Sequence, residues 1–146
     1  MGDESTVLVD SDGFIAWLIK PDAHHQRVLS LLNHFDKHAI HMTTTSYVVA
    51  ETATLLSRRY SQAQARDFVQ FIHKTQLPVL DIMGDLRRQA EHLFEEQTIE
   101  KVSLIDCANV IAIQHFAIPA ILSFDRFYSR YQIPSVEDLF SSAKAL

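Results

Sequence analysis

The sequence predicts an α/β fold whose β-sheet is mostly parallel. Short apolar segments alternate along the chain with longer segments in which apolar residues recur at helical spacing, and this alternation is typical of parallel sheets covered by helices. The chain has 146 residues, of which 47% are hydrophobic and 21% are charged. These values fit one globular domain with a sizeable core. We therefore expect a single domain over residues 1–146.

The strands are predicted at short apolar runs, the first of which is also β-branched. Four of these runs, and a shorter one near the C-terminus, give a sheet of four to five strands. They are expected at residues 7–9, 39–42, 78–82, 120–124 and 132–134.

The helices are predicted from apolar periodicity and from polar residues that cap their first turns. The first is expected at residues 14–19, before Pro21, and Asp22 is expected to cap the second, which carries Val28 and Phe35 on one face. The remaining helices are expected at residues 43–60, 61–74, 85–96, 103–115 and 136–143.

The charge and cysteine content narrow the function classes. The net charge is −5, from 13 Lys and Arg against 18 Asp and Glu, so charge alone does not indicate a nucleic-acid partner. If several acids gather in one site and bind a cation, the rest of the surface is less acidic than this net charge suggests. Cys107 is the single cysteine, which excludes an intrachain disulfide and a thiolate metal site, and we expect it to pack in the core.

No targeting or membrane segment is predicted. The first ten residues, MGDESTVLVD, lack the basic region of a secretory signal peptide. Residues 102–124 are apolar-rich but are interrupted by polar residues and a proline, so they predict a buried helix, a turn and a strand rather than a membrane span. We expect a cytoplasmic protein.

Two of the predicted strands end at an aspartate. Residues 7–9 are followed by Asp10, and the run over residues 121–124 is followed by Asp125. In parallel sheets, ligands bind beyond the carboxyl ends of the strands, so both acids face one crevice if their strands are neighbours. Asp10 could instead cap the next helix, but Asp12 is the expected cap there. Asp125 alone would be a turn or cap residue.

Glu51 is an acid within an apolar helical stripe. Tyr47, Val48 and Leu55 share its face. A buried carboxylate must pair, protonate or bind a cation. The structural alternative to a functional role is an ion pair with Arg58.

Asp106 is the single residue that most strongly indicates a functional site. It is the only Asp, Glu, Lys or Arg between Lys101 and Asp125, on a helix expected to be buried. Asn109 shares its face and can hydrogen-bond a ligand or water. The structural alternative for Asp106 is one buried salt bridge.

The four acids offer only hard oxygen ligands, which suit Mg²⁺ or Mn²⁺ and argue against zinc. Such an ion lowers the pKa of bound water and stabilises charge at a leaving oxygen, so metal-assisted phosphodiester hydrolysis is the natural reaction class. The 8 histidines are expected mostly at the surface, with no role as ligands.

These segments resemble a PIN domain, most closely the VapC-type toxins of toxin–antitoxin pairs. The resemblance is carried by VLVDSDGFIAWL, TTSYVVAETATLL, SLIDCANVIAI and ILSFDRFY, in that order. It implies a three-layer fold and a Mg²⁺- or Mn²⁺-dependent endoribonuclease, usually a homodimer, whose antitoxin partner occupies or blocks the site. It also implies the catalytic residues Asp10, Glu51, Asp106 and Asp125.

One position departs from the family pattern. Such toxins commonly have Asn or Ser two positions after the first Asp, and this chain has Asp12. All three residue types can cap a helix, so the fold should tolerate the change. Asp12 is a candidate fifth acid, and whether it joins the site stays open.

The mechanism we expect uses Asp10 and Asp106 as core metal ligands. Asp125, also assigned as a metal ligand, and Glu51 would bind a second ion or position water and leaving group. Arginines beside the acids could hold RNA phosphates, or be ordinary solvated charges. They are Arg126, Arg130, Arg58 and Arg59.

The sequence leaves three other interpretations of the acidic residues open. VLVDSDG is similar to the first motif of haloacid-dehalogenase-like phosphatases, with Asp10 as nucleophile and Asp12 as acid/base. That family also needs a lysine, and none lies between Lys101 and Lys144. A receiver-like binding module, with Asp81 phosphorylated, lacks the same lysine. The third is a degenerate PIN domain that acts only as a scaffold.

Overall fold

A four-stranded sheet lies between two layers of helices. The computed structural model describes residues 5–144, with side chains up to residue 141. The strands lie in the order β3-β2-β1-β4, and their pairings are all parallel. The predicted α/β class with a parallel sheet is confirmed. The strands are β1 Thr6–Val9, β2 His41–Thr45, β3 Val79–Leu80 and β4 Ala120–Leu122.

Helices connect the strands and cover both faces of the sheet. The side chains of Thr45, Ser61 and Ser103 accept hydrogen bonds at the starts of the third, fourth and sixth helices, as capping residues do. Within residues 5–144 no helix combines the length and apolarity needed to span a membrane. The helices are α1 Ser11–Leu18, α2 His25–Lys37, α3 Ser46–Arg59, α4 Gln62–Thr75, α5 Gly84–Glu95, α6 Leu104–Phe116, a 3₁₀ helix Arg126–Tyr131 and α7 Val136–Lys144.

The sheet separates two hydrophobic cores. Successive side chains of a strand point to opposite faces, so Val7 and Val9 enter one core while Leu8 enters the other. Residues of α1, α2, α3 and α4 fill the first core, and residues of α5 and α6 fill the second. Cys107 lies fully buried in the second core, as predicted. The expected three-layer arrangement is therefore present.

Two predicted helix caps are wrong. The chain passes directly from β1 into α1, so Asp10 rather than Asp12 caps α1, and its side chain accepts a bond of 2.8 Å from the backbone N–H of Ser11. At the start of α2, His24 holds the N-cap position, but its side chain makes no capping hydrogen bond to the helix. Asp22 instead accepts a bond from the backbone N–H of His24 and closes the turn before the helix.

His25 is an exception to the predicted surface histidines. Its side chain is buried, and its ring Nδ1 lies 2.6 Å from the backbone oxygen of Ala16. This contact joins the start of α2 to α1. A buried histidine whose ring is hydrogen-bonded to a backbone carbonyl has a structural role. The prediction of a surface position is wrong for His25, because it took no account of tertiary contacts.

β4 ends two residues earlier than predicted, at Leu122. The backbone N–H of Phe124 donates to the side chain of Asp12, and that of Asp125 donates to Ser123 Oγ. These side chains take the place of a neighbouring strand as hydrogen-bond acceptors. The backbone therefore leaves the sheet after Leu122, next to the carboxyl end of β1.

Of the four to five strands expected, the fifth, at residues 132–134, is not formed. This segment contributes one isolated parallel bridge, between Ile121 and Ser135, and the carbonyl of Pro134 accepts from the N–H of Ile121. Pro134 has no N–H of its own to continue a ladder. The sheet therefore stays at four strands within the described residues.

β2 and β3 also differ from their predicted bounds. Residues 43–45 are three threonines, and they extend β2 rather than only capping α3, since β-branched residues favour strands. β3 covers only Val79–Leu80 of the predicted 78–82. Neither change moves a residue of the acidic set.

The pairing of β1 with β4 sets the position of the acids. The backbone N–H of Asp10 donates to the carbonyl of Leu122 over 3.1 Å, so Asp10 follows β1 where the turn over residues 123–125 follows β4. The two strands are neighbours, and the condition for a shared crevice is met.

Gly13 allows this close packing, and we expect Gly13→Ala to destabilise the protein. A Cβ at this position would lie 2.8 Å from the carbonyl oxygen of Leu122 and 3.2 Å from a Val9 methyl. Alanine normally favours a helix over glycine by up to about 1 kcal/mol, but this clash involves backbone. Urea unfolding should show a net loss of about 1–3 kcal/mol. The exposed helical substitution Gln70→Ala is the control, expected within about 0.5 kcal/mol of wild type. Equal stability of Gly13→Ala and wild type would contradict the close approach of α1 to β4.

Candidate functional site

Asp10 is the most buried acid of the crevice, with 4% of its surface exposed. One carboxylate oxygen accepts from the backbone of Ser11 at 2.8 Å and from Asn109 Nδ2 at 3.1 Å. The other accepts from Tyr128 OH at 2.8 Å and from Ser123 Oγ at 3.2 Å. Four donors from four different segments therefore fix the orientation of this carboxylate.

Asp106 lies half-buried in the first turn of α6. It forms a capping box with Ser103, in which Asp106 Oδ2 accepts from the Ser103 N–H and Ser103 Oγ accepts from the Asp106 N–H, each at 3.0 Å. Its other oxygen lies 3.3 Å from Tyr128 OH, whose single proton is directed at the nearer oxygen of Asp10. Among the described residues Asp106 is in no ion pair, so the salt-bridge alternative is not found there.

Asp12 joins the same group of side chains. One of its oxygens accepts from the Phe124 N–H at 2.7 Å and lies 3.2 Å from Ser123 Oγ, whose single proton is shared between Asp12 and Asp10. Its other oxygen, Oδ1, is buried and has no hydrogen-bond partner in the part of the chain that the structure describes. The side chain that the sequence suggested as a helix cap therefore lies between α1 and the turn after β4.

Asp125 and Glu51 lie at the outer side of this group. Asp125 is exposed and caps the 3₁₀ helix, accepting from the Phe127 N–H at 2.9 Å. Glu51 is half-buried on α3. The negative charge of Asp106 contributes to a raised pKa at Glu51, and that of Asp125 does so at Asp106 and Asp12. The five acids therefore interact electrostatically.

Burial is the main cause of the raised pKa values in this group. The pKa of Asp10 rises from an ordinary 3.8 to about 7, because burial and the nearby charges of Asp12 and Asp106 together outweigh the hydrogen bonds from Tyr128 and Ser11, which lower it. Burial also raises the pKa values of Asp12, Glu51 and Asp106. Closely placed carboxylates with raised pKa values require a proton or a cation.

The chemistry of the donors suits a hard divalent cation. The acids offer only oxygen atoms as ligands, which suit a hard cation. Within the described residues, the Asp12 Oδ1 atom lacks a hydrogen-bond partner. Among residues 5–144, no ion pair with a lysine or arginine neutralises these acids. As the side chains are placed, no group of three or more His, Cys, Asp or Glu in that range is arranged to hold a metal ion. The predicted ligand set Asp10, Asp106 and Asp125 is therefore not assembled into a coordination sphere.

The arginines differ in how closely they approach the acids. Arg126 borders a cavity together with Asp125. The positive charge of Arg59, rather than Arg58, lowers the pKa of Glu51. Arg58 is exposed and forms no ion pair with Glu51 in the described residues, and Arg130 is exposed at the end of the 3₁₀ helix.

Tyr128 is a residue of the site that the sequence analysis missed. Only 1% of it is exposed, and its hydroxyl contacts Asp10, Asp106 and Asn109 at 2.8, 3.3 and 3.0 Å. A buried tyrosine hydroxyl needs a polar partner, and a tyrosine three positions after Asp125 was the available signal. Asn109, noted as a potential hydrogen-bonding residue, donates to both Asp10 and Tyr128.

A model of the PIN domain family matches residues 7–133. The chain therefore belongs to the PIN domain family. Membership sets aside the haloacid-dehalogenase-like and receiver-like interpretations of the aspartates after β1. A comparison with curated protein sequences found no match.

Two solved structures share the fold. The first is VapC20 of Mycobacterium tuberculosis, described as a sarcin–ricin loop cleaving toxin, with 22% identity and a TM-score of 0.79 over 89% of this chain and 98% of that one. The second is VapBC2 from Rickettsia felis, solved with a DNA fragment from its promoter, with 13% identity and a TM-score of 0.59 over 88% of this chain and 93% of that one. At these identities the likeness concerns the fold.

The raised pKa of Asp10 makes the stability of the metal-free protein depend on pH. The folded state holds a proton on Asp10 that the unfolded state has lost between pH 3.8 and about 7. The free energy of unfolding should therefore fall as pH rises through this window, by ~1.4 kcal/mol per unit for one proton. Urea unfolding in EDTA at several pH values measures this slope. In Asp10→Asn the slope should be shallower, and an equal slope in both proteins would show that Asp10 is not its source.

Removal of the Tyr128 hydroxyl should raise the pKa of Asp10 further, because that hydroxyl donates to the carboxylate and favours its charged form. Tyr128→Phe keeps the buried ring and removes only the donor. Carboxyl NMR titration of the metal-free protein measures the pKa. Tyr131→Phe is the matched control, since the Tyr131 hydroxyl accepts from Gln97 rather than contacting an acid. A lowered or unchanged Asp10 pKa in Tyr128→Phe would contradict the assigned bond.

Proposed function

We propose that this protein is a divalent-metal-dependent endoribonuclease and the toxin of a VapBC-type toxin–antitoxin pair. The observation that carries the proposal is the convergence of Asp10, Asp12 and Asp106 at the carboxyl ends of β1 and β4, with Asp125 and Glu51 beside them, in a PIN domain. The fold shared with VapC20, described as a toxin that cleaves the sarcin–ricin loop, supports the same assignment.

Asp10, Asp106 and Asp125 would hold the Mg²⁺ or Mn²⁺ ion. When bound, such an ion activates water and neutralises charge on the phosphodiester. The raised pKa values at Asp10 and Asp106 mean that binding of the ion would displace protons. Asp12, through its unpartnered Oδ1 atom, is a further candidate ligand.

The remaining residues have positioning roles in this proposal. Tyr128 and Asn109 hold the Asp10 carboxylate through their hydrogen bonds. Glu51, half-buried beside Asp106, would orient the attacking water or accept its proton. Arg126 borders Asp125 and would contact an RNA phosphate. The other arginines assigned to RNA phosphates are Arg130, Arg58 and Arg59.

The proposed partners follow from the family and the shared folds. The fold shared with the VapBC2 complex supports a protein partner, and we assign a cognate antitoxin to this chain, occupying or blocking the acidic crevice. We also assign a homodimer, as the resemblance implied, and the cytoplasmic location expected from the sequence. A non-catalytic PIN scaffold is the contrary outcome of the following experiment.

Asp106→Asn should remain folded and lose RNA cleavage. The asparagine side chain retains an oxygen that can accept from the Ser103 N–H, as Asp106 does, so the capping box of α6 is largely kept. It removes one negative ligand, and we expect cleavage of cellular RNA with Mg²⁺ or Mn²⁺ to fall at least ~100-fold. EDTA should abolish cleavage by the wild-type protein.

Asp36→Asn is the matched control, because Asp36 is an exposed acid of α2 far from the acidic group. It should cleave like wild type. Wild-type cleavage by Asp106→Asn, or metal-independent cleavage, would refute the proposed chemistry. Absence of cleavage by the wild-type protein under every divalent condition would favour the scaffold.

A further inference from the structure

A cavity of about 650 Å³ lies beside the acidic crevice. It is bounded by the turn after β4, the 3₁₀ helix and the start of α7, and it shares Ser123 and Asp125 with the acidic group. Its volume lies within the range of small-molecule sites, roughly 300–1,000 Å³. Asp125, Arg126 and Tyr128 border the cavity and have roles assigned above, whereas its wall of His24, Arg27 and Phe124 has none.

Planar side chains form one wall of the cavity. The rings of His24 and Phe124 are stacked, with centroids 3.9 Å apart and planes 13° from parallel. The guanidinium carbon of Arg27 lies 5.1 Å from the Phe124 centroid, and its Nη1 atom donates to His24 Nδ1 over 3.2 Å. Aromatic rings and guanidinium planes are the surfaces on which unstacked nucleic-acid bases bind.

This wall is fixed at both of its ends. Arg27 is paired with Glu137 at 2.9 Å, which joins α2 to α7. The backbone N–H of Phe124 donates to Asp12 Oδ2 at 2.7 Å. Phe124 therefore connects the aromatic wall to the acidic group. A base bound to this wall would lie at a fixed distance from Asp125.

The charges around the cavity favour a neutral base over a phosphate. Asp125, Glu137 and Asp138 line it against Arg27 and Arg126, and the pairing of Arg27 with Glu137 leaves Arg126 as the one cation of the lining outside that pair. Three carboxylates disfavour a phosphate, whereas they do not repel a base.

We propose that this cavity, named here the Phe124 pocket and defined by His24, Arg27, Phe124, Ser129 and Gln132, binds an unstacked base of single-stranded or looped RNA. The base belongs to a nucleotide next to the one whose phosphate is cleaved. This inference rests on the proposed function, since RNA is the substrate there. The proposed cleavage reaction involves only the phosphodiester of the RNA, and the Phe124 pocket would add a binding site for a base.

His24 is the residue best suited to a test. It is partly exposed, and its side chain makes no capping bond to α2, so its replacement should not unfold the helix. His24→Ala removes one ring of the stack, and His24→Phe keeps an aromatic face without the imidazole. His73→Ala, at an exposed histidine in the last turn of α4, is the matched control.

The binding experiment uses the full-length protein in EDTA, so that cleavage is prevented. The probe is a short single-stranded RNA with one 2-aminopurine, whose fluorescence is quenched when the base stacks. Wild type, His24→Phe and His73→Ala should bind with quenching, and His24→Ala should bind about tenfold more weakly with reduced quenching. In cleavage with Mn²⁺, His24→Ala should raise KM by a similar factor and leave kcat nearly unchanged.

The outcomes separate the pocket from the catalytic proposal. Failure of the wild-type protein to cleave RNA, with quenching that depends on His24, would refute the endoribonuclease and keep the base pocket. Cleavage by wild type with equal RNA affinity and quenching in His24→Ala would refute the pocket and keep the endoribonuclease. If His24→Ala weakened binding of the antitoxin but not of the RNA, the pocket would be a protein-binding site and the inference would be wrong.

Discussion

The parallel pairing of β1 with β4 is the interaction on which the site depends. It joins two segments separated by more than a hundred residues in the chain, and the bond from the Asp10 N–H to the Leu122 carbonyl extends it by one residue. Without that pairing, Asp10 and Ser123 would not meet. Gly13 permits the approach because it has no Cβ to strike the Leu122 carbonyl. The acidic group is thus a product of sheet topology more than of local sequence.

The electrostatic consequence of this arrangement is concentrated at Asp10. Four donors satisfy its carboxylate, yet burial still raises its pKa to about 7, because hydrogen bonds offset only part of the desolvation and of the repulsion from Asp12 and Asp106. The net charge of −5 is therefore unevenly distributed. Part of it lies in a crevice where a divalent cation would be more effective than a surface counterion.

The sequence predicted the sheet class and most helices, because apolar periodicity reports which face of an element is buried. It also predicted that Asp10 and Asp125 would follow strands. The end of β4 and the position of Asp12 could not be predicted, since both depend on bonds between Asp12 and Phe124 across 112 positions. Tyr128 was missed because its polar role exists only where a distant carboxylate meets its hydroxyl. His25 was placed wrongly for the same reason, since its partner is a carbonyl on α1.

The capping bonds within the acidic group have an evolutionary consequence. Asp10 caps α1, Asp106 completes the capping box of α6 and Asp125 caps the 3₁₀ helix. A lineage that lost catalysis would still be selected to keep a capping residue at these three positions, but Asn or Ser would serve a helix start as well as Asp. Glu51 lies within α3, and none of the described helices uses it as a cap. Among relatives of this chain, retention of Glu51 is therefore a better marker of an active enzyme than retention of a capping residue at these three positions.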